Sequence, residues 1–337
     1  MKKIKFMPPL VTISIPLYKC EDFLEACLES VKMQTYPNIE VTLINDQTPD
    51  NSVKIAENFI AENNLINWKI EHLDKNSGLS VVRNKGIDTA RGKYLFFLDS
   101  DDKITPDCIA TLVDISEKTG AEITISQLEC EQLQSGEKSI CIKIQSEKEI
   151  IVGNDQILKD FANAQLVTYA VNKLFIVDFI RKNKIYFIPG LFAQDELWTF
   201  HMVLKLNKIA IHKGITYTYY LHDKSVIHNR NKRNFDNWFT IGMHIDEALK
   251  EEKNIERRKT ILKYLINYKN LTLLMNWKAQ KNEILWKESY HNYKKLSGLS
   301  LADYFSGQFS VDIKKMNLFN QLPTQLGFQF FKWRYNR

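Results

Sequence analysis

The chain has 337 residues, 44% hydrophobic and 26% charged, enough for one large domain with an appendage or for two domains, and too apolar for bulk disorder. No run reaches the ~18–20 uncharged apolar residues of a membrane-spanning helix, and the five cysteines contain no Cys-x-x-Cys pair, which excludes an integral membrane protein, a zinc ribbon and a disulfide framework. An odd cysteine count leaves at least one free thiol and points to a reducing compartment. The net charge of +6 is uneven: residues 1–233 carry 29 basic and 30 acidic groups, and residues 234–337 carry 17 and 10.

The N-terminal lysines precede an apolar stretch, but prolines interrupt it and no small-residue cleavage site follows, so it reads as a strand and not as a signal peptide. VTISIP (11–16) is a β-branched run ended by Pro16. Residues 21–32 place Phe23, Leu24, Cys27, Leu28 and Val31 at helical spacing. A strand over 39–44, a helix from Asp50, a strand over 68–73 and a helix over 80–90 follow. Tyr94 to Leu98 is almost wholly apolar, as in a parallel sheet covered on both faces. Pro106 suits the first position of the next helix, and 121–128 reads as a further strand. Beyond residue 130 the pattern predicts a hairpin or excursion over 136–152, mainly helix over 154–183, a loop entering a helix over 187–204, and short strands at KIAIH and TYTYYLH. From about 234 onward everything reads as helix, rich in Trp, Tyr, Asn and Lys.

Alternating strands and helices predict an α/β fold, a mostly parallel sheet flanked by helices. Ligands of such sheets bind beyond the carboxyl ends of the strands. Here those ends carry Asp46, then Asn76 and Gly78, then Asp99, Asp101 and Asp102. Neither a G-x-G-x-x-G after the first strand nor a G-x-x-x-x-G-K-[ST] occurs, which removes the usual dinucleotide and P-loop phosphate cradles. Three carboxylates in four positions repel one another unless cations or donors compensate. Their hard oxygens suit Mg²⁺ or Mn²⁺ bridging nucleotide phosphates, and the plainer alternative is that Asp101 or Asp102 caps the helix near Pro106. Arg83 falls one turn into the helix opened by Asn76-Ser77-Gly78, placed to balance the acids or to sit at the surface. Asp46 either accepts a hydrogen bond from a base or begins a turn. Asp195 and Glu196 either face a cleft or simply favour a helix start. His222 follows a short strand.

In this order the motifs resemble those of the family 2 glycosyltransferases over residues 10–225. VTISIP with the QTYPNIE stretch and the Asp46 loop is similar to the family's opening. NSGLSVVRNKG followed by LDSDD resembles its Asn-x-Gly, Ala-Arg-Asn-x-Gly and Asp-x-Asp segment, and VNKLF with AQDELW resembles the later segments. The resemblance implies a GT-A fold with a helical C-terminal extension: a catalytic domain over 1–230 (nucleotide-sugar half 10–130, acceptor half 131–230) and a basic region over 234–337. It implies that Asp46 binds the base with Pro16 and Tyr18 lining the pocket. Asn76, Gly78, Arg83, Asp99 and Ser100 complete the donor site, Asp101 and Asp99 hold a divalent cation, Mn²⁺ or Mg²⁺, and Asp195 is the general base. Some relatives have a second metal contact at the place of His222. Gln194 and Val82 depart from the family pattern, which has Glu and Ala there. The implied activity is inverting transfer from a nucleoside diphosphate sugar, UDP by expectation, to a saccharide or lipid-linked saccharide in bacterial-type surface polysaccharide or glycolipid synthesis. A cytoplasmic site, at the inner face of the cell membrane, follows from that. A sugar nucleotidyltransferase and a catalytically silent scaffold are the competing classes. In the C-terminal third, Trp238, Phe239, Trp277, Trp286 and residues 328–337 interleave aromatics with cations. They read either as a membrane-surface segment or as aromatics packed on the catalytic domain, and no nucleic-acid motif accompanies the charge.

Overall fold

The computed structural model describes residues 7–140, 142–221 and 231–335. In chain order these form β1 (Val11–Leu17), α1 (Leu24–Lys32), β2 (Ile39–Asn45), α2 (Ser52–Glu62), β3 (Trp68–His72), α3 (Leu79–Thr89), β4 (Tyr94–Phe97), β5 (Lys103–Ile104) and α4 (Cys108–Thr119). Next come β6 (Ile123–Gln132), β7 (Lys138–Ser139), β8 (Ile150–Val152), α5 (Asn154–Ala162), β9 (Lys173–Ile176), α6 (Val177–Lys182), α7 (Gln194–Val203) and β10 (Lys208–Leu221). Then α8 (Lys232–Glu251), α9 (Ile255–Gln280), α10 (Glu283–Tyr293), α11 (Leu301–Phe305), α12 (Val311–Gln321) and α13 (Thr324–Tyr335) follow. Two compact units divide them. One comprises the chain up to Ile157 and the stretch from Ala164 through β10; the other comprises Leu158–Asn163 and the helices after β10.

The first unit is built on a sheet in the order β3-β2-β1-β4-β9-β6-β10-β5, with β7 and β8 beside β6 and β10. β3, β2, β1 and β4 run parallel. β9 pairs antiparallel with both β4 and β6, and β6 and β10 are parallel again. The strand core is apolar because both faces are covered: Val11, Ile13, Ile15, Leu43, Leu95 and Phe96 are inaccessible to solvent. Helix α3 lies close to β1, and Gly86 permits the approach, since a Cβ there would stand 2.3 Å from Ser14 Oγ. This fixes the helix that carries Arg83 directly against the central strands.

Three expectations change. The stretch 154–183 is not mainly helical; KLFI (173–176) is a buried strand inserted between β4 and β6. Four residues, one of them Lys173, are too few for periodicity to tell strand from helix. KIAIH and TYTYYL belong to one strand, β10, whose register with β6 shifts between His212 and Ile215 and again before Tyr217. Such irregularities let one strand bend and still keep its ladder. Helix α4 begins at Cys108, two residues past Pro106.

The second unit is a helical bundle whose starts are written in its Asn and Ser content. Asn231, Asn254, Asn282, Ser300 and Ser310 each accept backbone N–H groups at the start of a helix. Its aromatic residues form their own core: Trp286 stacks on Tyr290 at 5.1 Å, and Phe328 and Phe331 lie 5.3 and 4.7 Å from Trp286. Trp238 is buried against Phe235. Burying large aromatic surface among themselves is what holds these side chains in the bundle. No described helix is long and apolar enough to cross a membrane. Cys20, Cys27 and Cys108 are free and buried, in line with at least one free thiol, whereas Cys130 is disulfide-bonded, which a reducing compartment does not lead one to expect.

Candidate functional site

The carboxyl ends of β1, β2 and β4 deliver most of the anticipated polar residues. Pro16 is in register with Ile44, and the exposed Tyr18 follows one residue past β1, its ring 5.3 Å from Lys19 Nζ. At the end of β2, Asp46 is only 4% exposed. Its Oδ1 accepts the Ser77 N–H at 2.6 Å and its Oδ2 the Gly78 N–H at 2.9 Å, while Asn76 Nδ2 donates to its backbone oxygen at 3.0 Å. Gly78 adopts φ 85°, a left-handed conformation that glycine takes without a Cβ penalty. Asp46 thus clasps the entry to α3. Each of its oxygens retains a lone pair beyond this clasp.

One turn into α3, Arg83 is 3% exposed. Its Nη2 donates to Asp99 Oδ1 at 3.0 Å and its Nη1 to Asp195 Oδ1, so one guanidinium joins two carboxylates that lie far apart in the chain. Phe187 and Phe97 wall it at 5.5 and 5.9 Å, braced by Trp198, which stacks on Phe187 at 4.3 Å. The aromatic wall suits a delocalised cation. Burial works against the charge, but Asp195 and Asp99 hold the Arg83 pKa above its usual value. The carboxylate side chains remain 27% and 25% accessible against 4% for Arg83, so the acids face solvent and the cation backs them. Arg83 Nε and Ser80 Oγ are buried without a hydrogen-bond partner among the described residues.

Asp195 lies in the first turn of α7, after Ala193 in a left-handed conformation at φ 57°. Its Oδ2 accepts the Ala170 N–H at 3.0 Å, so the acid is held by specific partners beyond any helix-start preference. Behind it, Lys173 on β9 is 2% exposed and donates to the Val167 oxygen at 2.9 Å. Burial pulls its pKa down to about 7, and Asp195 and Glu196 oppose the shift. In the acidic loop, burial raises the Asp99 pKa, with Asp101 and Asp195 adding to the shift and Arg83 opposing it. Ser100 is buried and Asp101 half-buried. Asp102 is no helix cap: it accepts the Tyr217 O–H at 2.6 Å and the Tyr220 N–H at 2.9 Å. Nor does α4 use a side-chain cap, since Asp107 holds its cap position without such a bond. His222 lies outside the described residues.

The residue-by-residue reading missed Tyr217 and Lys173. Lys173 stands inside the Asn-Lys-Leu segment, where a lysine amid apolar neighbours was the available signal. Tyr217 is one of three tyrosines in TYTYYL, and nothing local distinguishes it.

Comparison with known proteins agrees with this architecture. The family described as Glycosyl transferase family 2 matches residues 12–183. The uncharacterized glycosyltransferase YibD of Escherichia coli (strain K12) is 31% identical over 230 residues, 67% of this chain and 66% of its own length. EpsH of Bacillus subtilis (strain 168), named as a glycosyltransferase, is 27% identical over 286 residues, 83% of this chain and 81% of its own. The chain thus spans just under two thirds of YibD. The crystal structure of Staphylococcus aureus TarS 1-349 in complex with UDP-GlcNAc superposes with a TM-score of 0.71 at 15% identity, covering 97% of this chain and 93% of that one. At that identity the likeness shows the fold, which is GT-A. With more than half the sequence inside the family match and the fold in agreement, the chain belongs to glycosyl transferase family 2.

Proposed function

We propose that this family 2 glycosyltransferase moves a sugar from a nucleoside diphosphate donor, a UDP-sugar in the first instance, to a hydroxyl of a saccharide or lipid-linked saccharide, with inversion at the anomeric carbon. The observation that carries the reading is the Arg83 bridge, which brings the acidic loop after β4 and the first turn of α7 to one point. The UDP-GlcNAc complex of TarS supports the choice of donor. In this reading residues 10–130 form the donor half, 131–230 the acceptor half, and 234–337 an appended helical region.

Asp46, Pro16 and Tyr18 hold the base, and Asn76, Gly78 and Ser100 shape the donor pocket. Asp195 takes the proton of the acceptor hydroxyl as its oxygen bonds to the anomeric carbon. The bond from that carbon to the diphosphate breaks on the opposite face. Arg83 bridges the two acids and holds them in place. Among the described residues no three side chains of metal-ligating type form a ready cage. However, Asp101 adds to the cost of ionising the buried Asp99 in a way a hard cation relieves, so the donor set fits Mn²⁺ or Mg²⁺ completed by phosphate oxygens and water. A cation held there would stabilise charge on the departing diphosphate. His222 would add a contact to it. Activity in polysaccharide or glycolipid synthesis at the cytoplasmic face of the membrane fits the acceptor class, and exposed Leu326, Phe330 and Trp333 beside Lys332 and Arg334 on α13 are the surface for membrane contact.

Titration calorimetry with UDP, with and without Mn²⁺, tests this directly. Binding that depends on the metal and disappears in chelator is expected, followed by slow donor hydrolysis in a screen of nucleotide sugars. A chain that gives no heat with any nucleotide is a scaffold, and the reading fails.

A further inference from the structure

The chemistry proposed above gives no role to Asp102, although it is the most deeply buried acid of the loop. Its side chain is inaccessible, as is that of Tyr217 on β10. The Tyr217 hydroxyl donates to Asp102 Oδ2 at 2.6 Å, and the tyrosine oxygen itself accepts the backbone N–H of Asp99 at 3.3 Å. Asp102 Oδ1 accepts the Tyr220 N–H at 2.9 Å, and the Asp102 N–H donates to the Asp99 oxygen at 3.2 Å, closing a turn over 99–102. Beyond the turn, Lys103 and Ile104 pair antiparallel with Thr218 and Tyr217, and the Thr105 N–H donates to the Thr216 oxygen at 2.9 Å. One hydroxyl therefore ties the first residue of the acidic turn to its last, and both to a strand from the other half of the sheet.

We propose that Tyr217 and Asp102 are positioning residues, a latch that holds the Asp99–Asp101 turn in its donor-binding shape and makes donor affinity depend on β10. The inference rests on the donor reading of the acidic loop. A buried carboxylate needs partners, and a purely structural solution would be satisfied by Tyr220 and any neighbouring donor. Here the tyrosine oxygen also takes the N–H of Asp99, the residue whose side chain meets Arg83. Without that oxygen the Asp99 N–H loses this partner, and the residue keeps only the bonds to its carbonyl and side chain. Groups that orient ligating carboxylates typically change affinity or activity by ~10–100-fold when removed.

Tyr217→Phe removes the hydroxyl alone. Asp102→Asn keeps the size but offers one acceptor oxygen where two donors, the Tyr217 O–H and the Tyr220 N–H, each need one. Tyr94→Phe is the control, because Tyr94 is equally buried and loses a hydroxyl bond to Glu117 away from the loop. Calorimetry with UDP and Mn²⁺ and steady-state kinetics with the sugar donor should show Kd and donor KM raised about tenfold or more in both loop variants. At saturating donor kcat should stay within a few-fold, and Tyr94→Phe should match wild type in Kd. The double variant should be no weaker than Tyr217→Phe alone, since that change already removes both bonds of the hydroxyl. Loop variants that bind UDP–Mn²⁺ within twofold of a wild type that binds it overturn the latch alone. A wild type that binds none overturns the donor reading and the latch with it. If Tyr217→Phe does not fold, Asp102→Asn decides by the same criterion.

Discussion

Arg83 divides its two terminal nitrogens between Asp99 and Asp195, and the two acids stand in different surroundings. Asp99 belongs to a turn crowded with like charge; Asp195 stands at a helix start with a backbone donor on its second oxygen. If Asp195 is the base, Asp195→Asn lowers kcat by ~10²–10⁴ and leaves donor Kd within a few-fold, as single-turnover kinetics and calorimetry can check. Full turnover by that variant removes the residue from the role. Lys173 offers a test of a different kind. Its folded pKa of about 7 lies below the ~10.4 of an unfolded lysine, so between those values the unfolded chain binds a proton that the folded chain does not. Stability contributed by this site is present above the unfolded pKa and is lost as pH falls through the window toward 7. Between pH 7 and 9, the wild type should gain about 2 kcal/mol relative to Lys173→Met in denaturant unfolding, from ~1.4 kcal/mol per pH unit. Parallel pH profiles for the two proteins would contradict the burial of a neutral amine. Asp46 and Asp99 were legible as single residues because they follow the carboxyl ends of strands, where ligands of such sheets bind, and Asp195 because it stands at a loop–helix junction within a motif. That Asp46 uses its carboxylate to clasp Ser77 and Gly78 was not, because the partners are backbone groups about thirty positions away.

At the scale of elements, the close contact of α3 with β1 determines where Arg83 sits. Gly86→Ala places a methyl 2.3 Å from Ser14 Oγ and 3.0 Å from its Cβ. Overpacking of that sort costs about 1–3 kcal/mol. Thermal unfolding should show the loss, Ser14→Ala should recover part of it, and the donor KM should rise as α3 shifts. An unchanged melting temperature would mean that α3 is not held by this contact. The parallel strands of the first half were readable from their apolar runs and the polar residues at their ends. β9 was not: four residues give no period, and its antiparallel place between β4 and β6 exists only through its neighbours. β10 looked like two strands because Lys213 and Gly214 interrupt its apolar pattern, and the ladder with β6 continues past them with a shift of register.

For the whole molecule, the excess of cations after residue 256 invites a membrane or an anionic acceptor. The helical unit instead buries most of its aromatics, and leaves Leu326, Phe330 and Trp333 exposed at helical spacing on α13. If that stripe meets lipid, full-length protein floats with vesicles containing anionic lipid, and a variant with all three changed to Gln stays in the soluble fraction. Equal flotation of both removes the stripe from membrane contact. Composition, strand-end acids and motif order sufficed for an α/β nucleotide-sugar fold with a helical extension, because burial and backbone geometry impose those patterns locally. Which acids meet, which tyrosine orders the loop and which aromatics are core depended on chain segments about a hundred residues apart coming together. Such contacts are selected by packing and hydrogen-bond satisfaction across the sheet, and no local pattern encodes them.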